Sequence, residues 1–388
     1  MKYKEEWHRS LPHVMNVSGG RSSGLILINL LDQGMLNAKR GDVCLFTNTS
    51  AEHTETYRFL QRLTALTEER GIPFFWIEFC TYEIERFGLP CRSPSYKMVR
   101  PIPFDNQCTP EGFKQKGEVF EELVSYKGVV PNRSRRACTA FMKVKVKIDF
   151  LADWFSESHD TPRLGHHKNK PIMDEEAVWS MHKKRNGKSS KEDILRIKEY
   201  LLQCDYIRAS QYFGAYSTVG KRHALNDIDH PFVDIIGFRA DETARVKKLV
   251  DQGANGIPYF PLFENNIGKP QVVDFWKHRA DIDLNLPYDT EKSNCVYCFM
   301  KGPNNLKAVL RDDDGLSDSP ASIKWWSNIE KKYGRSGRQS SMFGGKVEVP
   351  SMTKSGFFGT YSVEDPKAAT YENIEHAPDP GLPCQCFD

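Results

Sequence analysis

The sequence predicts an α/β protein built on a doubly wound, mostly parallel sheet with helices on both faces, followed by a C-terminal extension. Three observations predict it. Short apolar runs at His13–Val17, Asp42–Phe46 and Pro73–Phe79 recur about every thirty residues and alternate with segments of helical periodicity. A glycine-serine loop joins the first run to the first helix, the junction at which such sheets hold anions. The chain has 388 residues and is 39 % hydrophobic. That is long for one domain and enough for one large core with additions.

His13–Val17 reads as a buried strand. Leu25, Ile26, Ile28, Leu30 and Leu31 then give the first helix two apolar faces, as expected of a crossover packed on a parallel sheet. Between them lies Ser18-Gly19-Gly20-Arg21-Ser22-Ser23. The glycines let the backbone turn sharply, the free amides of the helix start face any incoming anion, and Ser18, Ser22 and Ser23 add hydroxyl donors. Arg21 adds a full charge whose direction the sequence leaves open. A Walker A loop needs Gly-Lys-Ser/Thr, and no Lys follows Gly24; G-x-G-x-x-G is also absent. The plainer alternative is an ordinary glycine turn before a helix.

Asp42–Phe46 is the second buried strand. Thr54 and the following residues to Gly71 have helical periodicity, with Tyr57, Leu60, Leu63 and Leu66 on one side and Gly71 as a stop. Pro73–Phe79 is the third strand. The Ser18 loop and the Thr47–Glu52 segment both sit at carboxyl ends of strands. Pro90–Gly117, rich in Pro, Cys and polar residues, reads as a loop or lid. Glu118–Tyr126 and Arg136–Phe155 read as helices, the latter carrying Phe141, Val144, Ile148 and Leu151. His166–Lys191 is polar and basic, and the residues from Ser189 to Asp193 give a capping signal before Ile194–Leu202. Phe232–Gly237 reads as a further strand.

Residues 1–310 are thus expected to form the main domain, with a basic insertion near 156–192, and 311–388 a partly flexible extension. Lys331–Tyr361 holds six Lys/Arg, one Glu and six Gly. Its Phe343, Phe357, Phe358 and Tyr361 interleave with cations, a pattern that suits stacking and backbone contacts on single-stranded nucleic acid. A loose tail is the plainer alternative.

Net charge is +3, so nothing global demands a polyanion. Locally, Lys127–Ile148 carries Lys127, Arg133, Arg135, Arg136, Lys143, Lys145 and Lys147 and no acid. Such a run repels itself unless phosphate lies near; a solvated helix face is the alternative. MKYKEEWHRS has no apolar signal region and no stretch is long and apolar enough to span a bilayer, so a cytoplasmic protein with no membrane partner is expected. Ten cysteines in a reducing compartment stay as thiols, and their grouping raises the question of metals. Cys44 reads as an inert strand residue.

Four segments in order carry a resemblance: SGGRSS at Ser18, LFTNTSAEHTET at Leu45, RRACTAFMKVK at Arg135, and GFRADETARV at Gly237 followed by NCVYCFMK at Asn294. The loop resembles the PP-loop of the adenine nucleotide alpha hydrolases, S-G-G-x-[DS]-S. The series over about residues 13–310 resembles the phosphoadenosine phosphosulfate reductase family and its ATP pyrophosphatase relatives in sulfur insertion. In length and motif order the chain is most similar to the ATP pyrophosphatases of bacterial DNA phosphorothioation systems.

The resemblance implies that Ser18, Gly19, Gly20, Arg21, Ser22 and Ser23 cradle the phosphates of ATP, with Ser18 and Ser23 in catalysis. It implies that Thr47 and Asn48 hold adenine or ribose, that Arg239 and Arg245 bind phosphate, and that Asp241 and Glu242 serve Mg2+ or ribose. Reductases acting on free sulfonucleotides depend on E-C-G-[LI]-H near the C-terminus. Here Cys384-Gln385-Cys386-Phe387-Asp388 lacks the Glu, Gly and His, which disfavours that activity. The cluster-bearing branch uses Cys-Cys plus C-x-x-C, and this chain has Cys138-Thr139 and Cys295-Val296-Tyr297-Cys298. Three ligands suit a 4Fe-4S cluster with one open iron, or zinc with a fourth ligand from Cys108, Cys204, Cys384 or Cys386.

The implied activity is cleavage of ATP to AMP and pyrophosphate to activate an acceptor for sulfur insertion. The implied partners are a nucleic acid, DNA before tRNA, and a cysteine desulfurase as sulfur donor. The alternatives are tRNA thiolation, sulfonucleotide reduction, and a noncatalytic nucleotide-binding module. The last stays open because Ser22 stands where many relatives have Asp.

Overall fold

A computed structural model describes residues 6–86, 89–127, 130–132, 136–154, 232–252, 256–288, 294–301, 303–311, 313 and 318–333. Seven strands, β1 (His13–Asn16), β2 (Val43–Asn48), β3 (Phe74–Arg86), β4 (Leu89–Pro103), β5 (Gly112–Phe113), β6 (Val233–Ile235) and β7 (Ile257–Tyr259), form one sheet in the order β5-β4-β3-β2-β1-β6-β7. Every pairing is parallel except β3 with β4. The expected α/β class and mostly parallel sheet are therefore present. Chain order runs outward from β1 in one direction through β2 and β3 and in the other through β6 and β7. The order reverses between β1 and β6, and the loops leaving the carboxyl ends of those two strands stand where ligands of such sheets bind.

Strand alternation explains the core. Val14, Val43, Leu45, Phe75 and Ile77 enter one cluster of buried residues, while Met15, Cys44, Phe46, Phe74 and Trp76 enter another. Helices α1 (Arg21–Asp32) and α2 (Thr54–Glu69) contribute to the second cluster, and α3 (Glu118–Lys127) and α4 (Val146–Trp154) to the first. Cys44 is fully buried and burial pushes its thiol far up, which fits an inert strand residue.

Two expectations change. Pro90–Gly117 is not an open loop: its first part is β4, which pairs antiparallel with β3 all the way from Trp76↔Val99 to Arg86↔Leu89. Prolines are tolerated there because β4 meets its other neighbour, β5, only near Arg100 and Pro103, leaving the outer edge of its first part without ladder bonds to lose. β2 stops pairing at Asn48↔Glu78, so the hairpin runs on beyond the carboxyl edge of the parallel strands. The single helix expected over Arg136–Phe155 is a π-helical segment, Cys138–Lys145, followed by α4. Wide turns of that kind are frequent at functional sites.

The chain past residue 232 supplies α5 (Thr243–Gln252), α6 (Pro261–Glu264), α7 (Lys269–Lys277), α8 (Pro303–Arg311) and α9 (Ile323–Tyr333). α9, beyond the boundary expected at 310, buries Trp325, Trp326 and Ile329 in the first cluster, with Trp326 edge-on to Phe120 at 5.1 Å. The basic run does not form one exposed stripe. Lys143 and Lys147 are buried, Lys145 pairs with Asp149 at 2.8 Å, and Lys127 lies 3.3 Å over the Phe141 ring. Arg133, Arg135, the 156–192 insertion, the helix expected over Ile194–Leu202, Cys204, the Phe343–Tyr361 segment, Cys384 and Cys386 lie outside the described residues. No helix among the described residues is long and apolar enough to cross a membrane.

Candidate functional site

The Ser18–Ser23 loop leaves β1 at the point where strand order reverses. Gly19 takes φ +82°, and a Cβ there would lie 2.4 Å from Thr56 Cγ2 on α2, so only glycine fits. Gly20 is extended and starts α1 without a side-chain cap, leaving the helix start open to an anion. Ser23 is buried and donates to the Gly20 carbonyl at 3.1 Å. Its one proton is then spent, so at the 3.1 Å contact between hydroxyls Ser18 donates to Ser23. Ser23 also accepts from the Ser18 amide, and Ser18 Oγ accepts from Gly20 N. Ser18 and Ser23 therefore hold the loop closed; Ser22 is the hydroxyl that meets the facing loop.

That facing loop leaves β6. Arg239 donates from Nη1 to Ser22 Oγ at 3.3 Å and from Nε to Asp241 at 3.1 Å. Glu242 accepts from the Arg239 amide at 2.9 Å and pairs with Arg245, whose guanidinium lies 4.5 Å over Phe238. Asp241 also accepts from the Lys269 amide at the start of α7. Burial works against the Asp241 carboxylate, yet its bonds to Arg239 hold it below the usual carboxylate range. Of the four residues expected from this segment, Arg239 touches the cradle directly, and Arg245 is linked to Arg239 through Glu242.

Arg21 does not lie over the cradle unengaged. Its guanidinium is bidentate on Asp283, at 2.8 Å for both contacts. Asn48 is equally committed. Its amide donates to Glu78 at 2.7 Å and to the Lys114 carbonyl at 2.6 Å, and its oxygen accepts from Ser50 N and lies 3.1 Å from Tyr57 Oη. That side chain is fully buried and both of its amide protons are spent inside the protein; Thr47 beside it is half-buried.

No protein-family model, curated protein or solved structure matches this chain.

The three expected metal-ligand cysteines do come together, although Cys138 and Cys295 lie far apart in sequence. Cys138, Cys295, Cys298, Thr49 and Lys143 line one cavity of about 10 Å³ walled by Phe120, Phe299 and Trp326. The Cys295–Cys298 turn is tied to the loop after β2 by Val296 N donating to the Ala51 carbonyl at 3.0 Å. Thr49 bonds Glu52 at 2.6 Å and contacts Cys295 Sγ at 3.2 Å, while Tyr57 donates to Glu52 at 2.9 Å. Burial pushes the Cys138 thiol up to about 12, with Cys298 adding to the shift, and burial followed by Glu52 pushes Cys295 up further. Burial alone would lower the Lys143 ammonium, but Cys295, Glu52, Cys298 and Cys138 together hold it above the ordinary lysine value.

Three thiols are the donor chemistry of a thiophilic metal centre. A cavity of about 10 Å³ has the room of roughly one water. Among the described residues no group of three or more His, Cys, Asp or Glu stands where it could hold a metal ion. The site as built does not fit a four-iron cluster. Cys108, one candidate for a fourth ligand, is exposed in the turn after β4. Glu52, Thr49 and Tyr57 were not singled out by sequence; the signal was their place in the segment after β2. Lys143 was visible only as one cation in a basic run.

Proposed function

We propose that the chain is a PP-loop ATP pyrophosphatase, similar to the phosphoadenosine phosphosulfate reductase family, that cleaves ATP to AMP and pyrophosphate to activate an acceptor for sulfur insertion. The observation that carries this reading is the contact of Arg239 with Ser22, which sets a cation against an uncapped helix start at the reversal of strand order. The adenine nucleotide alpha hydrolase architecture, with helices on both faces of the sheet, belongs to the same reading and is supported by the two clusters that take alternate strand residues.

In this mechanism the first-turn amides of α1 and Arg239 hold the triphosphate, and Glu242 and Asp241 hold Arg239. Mg2+ arriving with the nucleotide would neutralise phosphate charge, and Asp241, whose side chain is 48 % exposed, is the carboxylate open to it. An acceptor oxygen attacks the α-phosphorus, its bond to the bridging oxygen breaks, and pyrophosphate leaves. Positioning and charge neutralisation supply the rate, so no general base is required. The outer sulfur of a persulfide that a desulfurase builds on Cys138, Cys295 or Cys298 then attacks the activated acceptor and AMP leaves; a second of these thiols breaks the resulting acceptor–S–S–Cys bond, releasing the thiolated acceptor and leaving a Cys–Cys disulfide that an external thiol reductant reopens. DNA backbone phosphate is the acceptor favoured by the resemblance in length and motif order; tRNA is the rival.

The test is ATP turnover by wild type and Arg239→Ala in the presence of sulfide, with a DNA duplex or tRNA supplied in parallel arms. Equal amounts of AMP and pyrophosphate are expected from wild type, falling roughly 100-fold in the variant. Formation of ADP and phosphate, or no turnover in any arm, would sink the proposal.

A further inference from the structure

Arg21 opens α1 and occupies the variable position of the phosphate loop, yet every contact of its guanidinium goes to a segment more than 250 residues later in the chain. Besides the bidentate pair with Asp283, Nη2 donates to the Leu286 carbonyl and the guanidinium lies 4.1 Å over the Tyr288 ring. Tyr288 Oη donates back to Asp283 at 3.1 Å, and the Asp283 carbonyl accepts from Arg62 at 2.6 Å. The backbone of Arg21 is gripped as well: its carbonyl accepts from Trp276 Nε1 on α7 at 2.9 Å. The Arg21 and Asp283 side chains are 12 % and 9 % exposed. A planar fork fitted to a carboxylate and stacked on a ring out of water is a fixed geometry, not a mobile charge.

This arrangement leaves two jobs divided. A guanidinium committed to Asp283 does not neutralise a phosphate, so the cation facing the ligand is Arg239. The amides that do face the ligand belong to the same turn that Arg21 begins, and an anion site of backbone amides works only while that turn holds its position to a fraction of an ångström. We propose that Arg21, Asp283 and Tyr288 form a clamp that positions the first turn of α1 for a nucleotide phosphate, with Arg21 a positioning residue and not a phosphate ligand. The proposal rests on the ATP-binding reading above.

Titration calorimetry with ATP on wild type, Arg21→Lys, Asp283→Asn, the double variant and Tyr288→Phe tests it, alongside amide hydrogen exchange of residues 18–25 in the same proteins without nucleotide. Each of the two ion-pair variants is expected to weaken ATP binding roughly tenfold or more, and the double variant to be no worse than the weaker single one. Exchange at 18–25 should quicken in all of them. Tyr288→Phe keeps the ring and the ion pair, so it folds and shows a smaller loss in the same direction. If Arg21→Lys weakens binding while Asp283→Asn leaves it unchanged or tightens it, Arg21 is a phosphate ligand and the clamp is wrong. Unchanged exchange, or faster exchange with unaltered ATP affinity, overturns it equally. Should wild type not bind ATP, the nucleotide reading fails, while the exchange data still decide whether the clamp fixes the loop.

Discussion

Lys147 Nζ stands 2.8 and 3.0 Å from the two carboxylate oxygens of Asp234, and Asn16 donates to the same carboxylate at 2.6 Å, all three side chains being buried. The trio ties α4 to β6 and to the end of β1, the last turn of chain before the phosphate loop. Removing one partner leaves the other charge buried and unpaired. Lys147→Met is therefore expected to cost about 3–5 kcal/mol in urea denaturation, with Lys147→Met/Asp234→Leu recovering part of the loss. Equal stability of Lys147→Met and wild type would show that water reaches Asp234.

Glu78 gives the fold a pH dependence. Burial pushes its carboxyl from 4.5 up to about 7, against the opposing pull of the Lys114 amide and Asn48. A carboxyl with a higher value folded than unfolded contributes stability that is full below the unfolded value and is lost as pH rises through the folded one. Asp149, raised to about 7 by burial against Lys145, acts in the same sense. His13, lowered from 6.5 to about 4 chiefly by burial, opposes them: its contribution is lost as pH falls through that window. Glu78→Gln keeps an acceptor for Asn48 and Lys114, so it should remove up to roughly 3 kcal/mol of the stability lost between about pH 5 and about pH 8. Parallel wild-type and variant curves would refute this.

The sheet was legible because burial on both sides of a parallel strand leaves apolar runs such as those at His13 and Asp42, and because Gly19 marks a turn no other residue makes. The β3–β4 hairpin was not, since Pro90, Pro94, Pro101 and Pro103 read as loop when the strand partner that tolerates them is unknown. Cys295 and Cys298 stand out as a C-x-x-C pair, but only the family resemblance groups Cys138 with them. The commitment of Asn48 to Glu78, of Arg21 to Asp283 and of Lys147 to Asp234 could not: each partner lies at least 30 residues away, and a charged or amide side chain looks the same in sequence whether it meets ligand or protein.

Gly24 follows the phosphate loop for a packing reason. A Cβ there would come within 2.6 Å of Phe59 Cζ and 3.0 Å of Trp276, the residue that also holds the Arg21 carbonyl. Gly24→Ala should raise helix propensity yet lower stability by about 1–3 kcal/mol, because α1 must move off α2 and α7. A thermal melt decides between them, and a variant more stable than wild type would show that the contact yields.

Glu52 and Lys143 are both buried beside the thiols. Glu52 is buried at 5 % exposure and Lys143 at 6 %, and Glu52 is among the groups that raise the Lys143 ammonium. Glu52→Gln keeps the acceptor for Thr49 but strands a buried cation, with a cost of about 3–5 kcal/mol expected from urea midpoints. Lys143→Met removes the cation, so the double variant should be more stable than Glu52→Gln alone, a coupling that two independent sites would not show. Simple addition of the two losses would mean that the thiols, and not Glu52, carry the negative charge Lys143 answers to.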